Sequence, residues 1–310
     1  MISKLNTLFK IYGKVFGLLV TMLFGGLLPQ FHHASFLIQY LLIIMLFFAF
    51  LDIEFKPAMF QKSVLWILIA NVSLGFVSYL ALASYDRMLA LTAFMTAIAP
   101  TAIAAPVIIG FIKGEIEYVI AAVLVTNLSS AVIIPLALPV LLSAEIQLSV
   151  WEVLEPVLIV MLVPLILARL VMHLPIQARN MVRRGKSLSF PIWLINLFFI
   201  SANASNFLRN ENANSLYTLL TIAVISLILC IANFGLGALL GGQRNWQEAS
   251  QSLGQKNLSF VIWIALTFIN PLVAMGPTFY ILYHHLYNSW SIYLFEKRAR
   301  DKNAIPEVIS

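Results

Sequence analysis

Charge is what this sequence has least of. Only 10% of its 310 residues are Asp, Glu, Lys or Arg, while 61% are hydrophobic. Soluble globular domains carry about 25% charge. A chain this poor in charge excludes an ordinary water-soluble fold and fits one solvated mostly by lipid. Cysteine is nearly absent too. The single Cys230 rules out an intrachain disulfide and a cysteine metal cluster. A His-Glu-x-x-His helix, a Gly-x-Ser-x-Gly elbow and a glycine-rich phosphate loop are also missing. Zinc or serine hydrolysis and direct use of ATP are therefore not expected. The acids Asp52, Glu54, Asp86, Glu145, Glu152, Glu155 and Glu211 fall mainly between the apolar runs, so neither a catalytic centre nor a cofactor is expected.

What is present is a succession of long apolar runs, such as 64–82, 119–142, 157–171 and 216–240. A helix needs about 20 apolar residues to cross a bilayer. The pattern predicts an all-α, polytopic membrane protein with ten transmembrane helices. They lie roughly at 10–28, 35–52, 62–82, 88–112, 117–143, 152–174, 190–207, 215–240, 247–268 and 271–294. The first run has basic residues before it, as a signal peptide would. The following Gly25-Gly26-Leu27-Leu28-Pro29 is a poor cleavage site, so the run reads as the first helix. Such a layout uses most of the length and leaves no room for a second sizeable soluble domain.

The net charge of +6 follows from topology rather than from nucleic-acid binding. With ten spans both termini share one side. All Lys and Arg residues except Arg87, Arg209 and Lys256 then fall on that side. Positive charge near helix ends marks the cytoplasmic face. Both termini are expected in the cytoplasm, in the plasma (inner) membrane of the cell. The basic stretch 179–186 reads as a cytoplasmic loop that anchors this orientation.

Two spans are irregular. The fourth contains Pro100 and Pro106, and the ninth starts with the polar segment 247–257. They stand five spans apart. Residues 1–146 (spans one to five) and 147–310 (spans six to ten) then form two repeats of odd span number, hence of opposite orientation. Inverted repeats with interrupted helices are the layout of many secondary transporters, whose sites lie at the interruptions. Prolines alone also fit a packed, kinked helix; it is their match in position with the polar ninth span that favours a carrier.

The residues at these two spans resemble a known family. The stretch Ala99-Pro100-Thr101-Ala102-Ile103-Ala104-Ala105-Pro106-Val107-Ile108-Ile109-Gly110 resembles the fourth helix of the bile acid:sodium symporter family. So does Thr126-Asn127-Leu128-Ser129-Ser130, with Pro135 and Pro139 beyond it. Ser252-Leu253-Gly254-Gln255-Lys256-Asn257 is similar to that family's ninth-helix motif, Glu-x-Gly-x-Gln-Asn. The resemblance implies ten helices in two inverted five-helix repeats, with broken, crossing fourth and ninth helices. It also implies a core that moves against a smaller panel. Members carry bile acids, other organic anions or pantoate-like acids, and a distant relative exports arsenite.

The departures matter as much. Where the family's fourth helix reads Pro-Gly-Gly-x-x-Ser-Asn, this chain has Pro100, Thr101, Ala102, Ala105 and Pro106. The Ser-Asn pair that helps to hold sodium is replaced by Ala105 and Pro106. The motif's Glu falls on Ser252 and its Gln on Lys256, while Gly254 and Asn257 are kept. Thr126 matches a threonine that gives an oxygen to sodium in family members. A hard cation needs oxygen ligands and negative charge. The loss of a carboxylate and the gain of an ammonium count against sodium coupling.

A lysine within a span is costly and is a functional candidate by default. Three roles are open for Lys256. Desolvation disfavours the charged form of a buried lysine, so it is a candidate to exchange a proton, or its ammonium replaces the missing cation and ties the crossing helices. It is also placed to contact the carboxylate of a substrate. The bland alternative is that it snorkels to water. Asn71, Asn127, Asn196, Asn203, Asn233 and Asn257 are polar residues inside spans, and hydrogen bonding between helices is their ordinary use. Asn127 and Asn257 stand out by their place near the crossing. Asn196 and Asn203, seven apart, share a helix face and are candidates to line a cavity. His284 and His285, with no acid nearby, make a poor metal site. They read as part of an interfacial aromatic belt with Tyr283, Tyr287 and Trp290.

The expectation is a monomeric secondary transporter of a small organic anion, working by alternating access, proton-coupled or sodium-independent, with no nucleic-acid partner. The opposing classes are an intramembrane enzyme and a channel or receptor-like membrane protein.

Overall fold

The computed structural model describes residues 16–51, 61–142, 148–210 and 216–303. Both termini, and Asp52, Glu54, Glu145 and Glu211, lie outside these. The described chain is helical. In order it comprises α1 (Phe16–Leu27), α2 (Leu37–Phe50), α3 (Lys62–Ala83), α4 (Arg87–Ile98), α5 (Ala105–Phe111) and α6 (Ile116–Leu142). Then follow α7 (Val150–Met172), α8 (Ile176–Arg184), α9 (Ser189–Asn210), α10 (Leu216–Gly254), α11 (Leu258–Phe268) and α12 (Pro271–Asn303).

Five helical stretches are long and apolar enough to cross a membrane: Lys62–Ala83, Ile116–Leu142, Val150–Met172, Ile176–Asn210 and Leu216–Gly254. Shorter apolar helices accompany them. Large side chains stand outward along these helices, among them Leu65, Trp66, Val77 and Leu80 on α3 and Ile166, Leu167 and Leu170 on α7. Contiguous apolar faces of this kind do not face water in a monomeric soluble protein. They mark a multi-pass membrane protein whose outer surface meets lipid.

The fourth predicted span is two helices with a gap between them. α4 starts at Asp86, whose carboxylate accepts the Leu89 N–H at 2.8 Å, a normal N-cap. Every residue from Leu89 to Ile98 is buried, as befits a helix apolar on all sides. Pro100 then ends it. A residue before proline is driven from the helical region, and Ala99 sits at φ −49°, ψ 133°. The chain re-enters a helix with Pro106 in the first turn of α5, where a missing N–H is no loss.

The ninth predicted span is made differently. α10 turns back on itself at Gly242 (φ 59°, ψ −153°) and Asn245 (φ −124°, ψ 30°). Only glycine adopts the first of these without strain. After the turn Ser250 Oγ donates to Phe234 O at 2.8 Å, so 246–254 runs back along the segment before the kink. The helix stops after Gly254, and α11 begins at Leu258.

Two groups of helices are seen, joined where α7 packs on α6 and α9 on α12. α4 lies against α3 and α12, α10 against α12 and α3, α11 against α12, and α5 against α6. The other group joins α2 to α7 and α9, with Gly25 of α1 set closely against the Phe198 carbonyl of α9. One expectation is corrected here. Residues 179–184 of the basic stretch are helical, within α8, and not a loop. Arg179 Nη2 donates to Met172 O at 2.7 Å, while Ile176 and Met181 stay exposed. Charges and apolar side chains alternate there in a way that suits a helix lying at an interface.

Candidate functional site

A break in a buried helix leaves backbone groups that must find partners. In lipid each unsatisfied group costs several kcal/mol. The two breaks satisfy each other. Ala102 N–H donates to Gln255 O at 2.8 Å, and Asn257 N–H donates to Pro100 O at 2.7 Å. Thr101 and Lys256 thereby pair as a short antiparallel bridge. Thr101 Oγ1 adds a bond to Ser252 O at 2.6 Å.

α6 supplies the remaining partners. Thr126 Oγ1 accepts the Thr101 N–H at 2.9 Å and donates to Ala122 O at 2.7 Å. Asn127 Nδ2 donates to Thr101 O at 2.8 Å, and its Oδ1 accepts from Asn257 Nδ2 at 3.3 Å. Asn127 thus clasps both breaks. Gly254 lies against the ring of Phe234 with no room for a Cβ, and its carbonyl accepts from Tyr280 OH at 2.7 Å.

Lys256 is only 2% exposed. Its Nζ donates to Ala97 O at 2.9 Å and to Asn71 Oδ1. Asn71 Nδ2 in turn donates to Ile98 O at 3.0 Å. Ala97 and Ile98 form the last turn of α4, where carbonyls lack helical partners and carry partial negative charge. The Lys256 amine therefore caps a half-helix as a hydrogen-bond donor. Buried beside the break, it does not snorkel.

A cavity of ≈ 610 Å³ lies between the two helix groups. It runs from the exposed Lys186 and Ser187, just before α9, to the buried Gln255 and Lys256 of the second break. The wall is mostly apolar, from Leu42, Leu46, Val107, Ile108 and Phe111 among others. Four of its residues bear positive charge or accept a proton: Lys186, Lys256, His284 and His285. No Asp or Glu among the described residues belongs to it. Gln255 and His284 are both buried, and Gln255 Oε1 and His284 Nδ1 have no hydrogen-bond partner.

Among the residues singled out in the sequence, Thr101, Ser252, Gly254, Lys256, Asn257, Thr126 and Asn127 come together at the paired breaks. Ser252 Oγ is buried there without a partner. Ala105 is fully buried beside them, and Pro106 forms cavity wall. Asn196 and Asn203 do not join them. Asn196 faces Met45 Sδ at 4.0 Å, and Asn203 donates to Ser35 Oγ at 2.8 Å. Both belong to packing between α9 and its neighbours, and neither is part of the cavity wall. A shared helix face does not say which neighbour that face meets.

The reading of the histidines is corrected. His284 is 4% exposed and sits in the cavity wall with His285. Burial in the cavity wall, rather than exposure at the outer surface, sets His284 apart from a lipid-facing belt. Gln255, Ser259 and Trp193 were not singled out by the sequence, and Asn71 was read only as a residue for ordinary bonding between helices. The one signal for the histidines was their presence in a span otherwise so poor in ionisable groups.

No protein-family model matches the chain, and no curated protein sequence matches it.

Proposed function

We propose that this protein is a secondary transporter of a small amphipathic organic anion, working by alternating access without sodium. One observation carries the reading: two broken helices pair through their backbones at the inner end of a cavity whose charge-bearing residues are all basic. Irregular backbone is tolerated at membrane depth only where protein covers it or a cavity adjoins it. Carriers place their sites at such interruptions. The apolar wall suits a hydrophobic body, and the basic residues suit an acid group.

In this reading the chain has ten spans in two inverted five-helix repeats, divided near residue 146, with both termini in the cytoplasm of a plasma (inner) membrane. It is a divergent, monomeric member of the bile acid:sodium symporter family and not an enzyme. Lys256 takes the place of a bound cation. Its ammonium draws on Ala97 O and Asn71 Oδ1, neutral oxygens of the type that would otherwise ligate a hard ion. Neither partner belongs to the cavity wall, which favours the tethering role over direct contact with substrate. The cavity reaches solvent beside Lys186, on the side that the charge bias assigns to the cytoplasm, and fits an inward-open carrier.

Uptake by purified protein in vesicles tests this. Labelled organic acids should accumulate under an imposed proton gradient, at a rate unchanged when potassium replaces sodium. A strict sodium requirement would sink the role given to Lys256. Failure to concentrate any anion under any gradient would sink the transporter reading itself.

A further inference from the structure

The paired breaks account for Lys256 but leave the two histidines of the cavity without a role. His284 and His285 are adjacent on α12, with ring centroids 4.3 Å apart and planes at 88°. His284 is buried, and its Nδ1 has no partner. A buried polar atom left unpaired is costly, a cost that a bound group would remove. His285 lies with its ring 5.2 Å from Trp193 of α9, across the cavity between the two helix groups. The pair therefore bridges the two bodies that an alternating-access motion would separate.

The charged surroundings are one-sided. Facing the pair are Tyr280, whose ring is 5.7 Å from His284, and Lys186 and Lys256 in the same wall. Tyr283 and Cys230 belong to a separate groove between α10 and α12. α11 and α5 carry no titratable side chain, and α4 and α9 carry only Arg87 and Arg209, at helix ends remote in sequence from the cavity residues. Among the described residues no carboxylate belongs to the wall. A carboxylate brought by the ligand would supply the negative charge that holds a proton on an imidazole there.

We infer that His284 and His285 form the head-group site of the cavity and bind a carboxylate together with one proton taken from the same aqueous phase. The proton adds to an imidazole nitrogen, and the imidazolium N–H donates to the carboxylate oxygen. No bond within the ligand is made or broken. One positive and one negative charge enter together, so the loaded cavity carries the same net charge as the empty one. The inference rests on the organic-anion reading above and adds the residues and the proton.

The test is binding, not transport, on the purified full chain. Octanoate serves as probe, with octanamide as its neutral counterpart and benzoate as a shorter acid. Calorimetry in buffers of different ionisation enthalpy should show about one proton taken up per octanoate. The Kd should weaken by about tenfold for each pH unit above the titration of the empty site. Octanamide should bind far more weakly, without proton uptake. His284→Gln and His285→Gln should each flatten the pH slope and weaken octanoate at low pH by about tenfold or more. The fluorescence of Trp193, isolated by subtracting Trp193→Phe, should fall on acidification in the wild-type protein. It should not fall in His285→Gln.

Octanoate binding without proton uptake in the wild-type protein would overturn the inference while leaving the transporter reading intact. So would an unchanged pH slope in both variants, or equal binding of octanamide. The wild-type proton count needs no variant to fold. Absence of binding by every acid at every pH would overturn the inference, and together with failed vesicle uptake it would overturn the transporter reading too.

Discussion

The two helix breaks meet in space, yet they are built on different principles. The first, between α4 and α5, is made by local chemistry. Pro100 forces Ala99 out of the helical region, and Pro106 restarts the helix, while the side chains around them are alanines, Ile103 and Thr101. The second, between α10 and α11, contains no proline or β-branched residue. Its residues Gln255, Lys256 and Asn257 are compatible with a helix, and the chain is interrupted where the first break offers partners. One break is written into the backbone. The other is held open by tertiary bonds that run both ways: Lys256 Nζ and Asn257 N–H donate to Ala97 O and Pro100 O, while Ala102 N–H and Thr101 Oγ1 donate to Gln255 O and Ser252 O.

This difference predicts an asymmetry in how the site fails. The largest effect should come from Lys256→Met, which leaves Ala97 O and Asn71 Oδ1 without their donor. Hydrogen bonds to charged groups contribute about 1.5–3 kcal/mol each, offset in part by relief from burying an ammonium. We expect vesicle transport to fall below about a tenth of wild type, a loss of more than about 1.4 kcal/mol in transition-state terms. Wild-type transport by this variant would refute the view that the second break is held by its lysine.

Asn127→Leu should rank next. It strips one bond from each break and leaves Thr101 O buried and unpaired, costing about 2 kcal/mol. Thermal unfolding of the purified protein would read this as a lowered midpoint, and an unchanged midpoint would show that the two breaks stand independently. The smallest effect should follow Pro100→Ala. The local cause of the first break is then gone, but Asn257 N–H, Thr126 and Asn127 still hold its backbone open. Stability should change by less than about 1 kcal/mol, with transport retained. A large loss would show that the proline, and not the pairing, maintains the break.

How much of this could be read from the chain follows from the same contrast. Pro100 and Pro106 announced the first break, because proline acts on its own neighbours. The second was legible only as a polar segment in an apolar span, and its end point at Gly254 was not. The turn at Gly242 and Asn245 folds 246–254 back on the segment before it. Asn127 and Asn257 were placed correctly near the crossing, since their positions in the chain adjoin the breaks. Asn196 and Asn203 turned toward Met45 and Ser35, and neither lines the cavity itself, although Met45 does. His284 looked like part of an outer belt because its burial depends on packing that the chain pattern does not show.

Composition by itself determined that this is a helical protein of the membrane. A chain with 10% charge has no surface to offer water, and helices satisfy the backbone where water cannot. Lys256 likewise stood out because charge was otherwise so scarce. Only the tertiary structure decided what surrounds it. Hydrogen bonds across 151 and 159 residues of chain join parts that no local pattern links. They exist because two interrupted helices, buried away from water, have each other as the nearest partners.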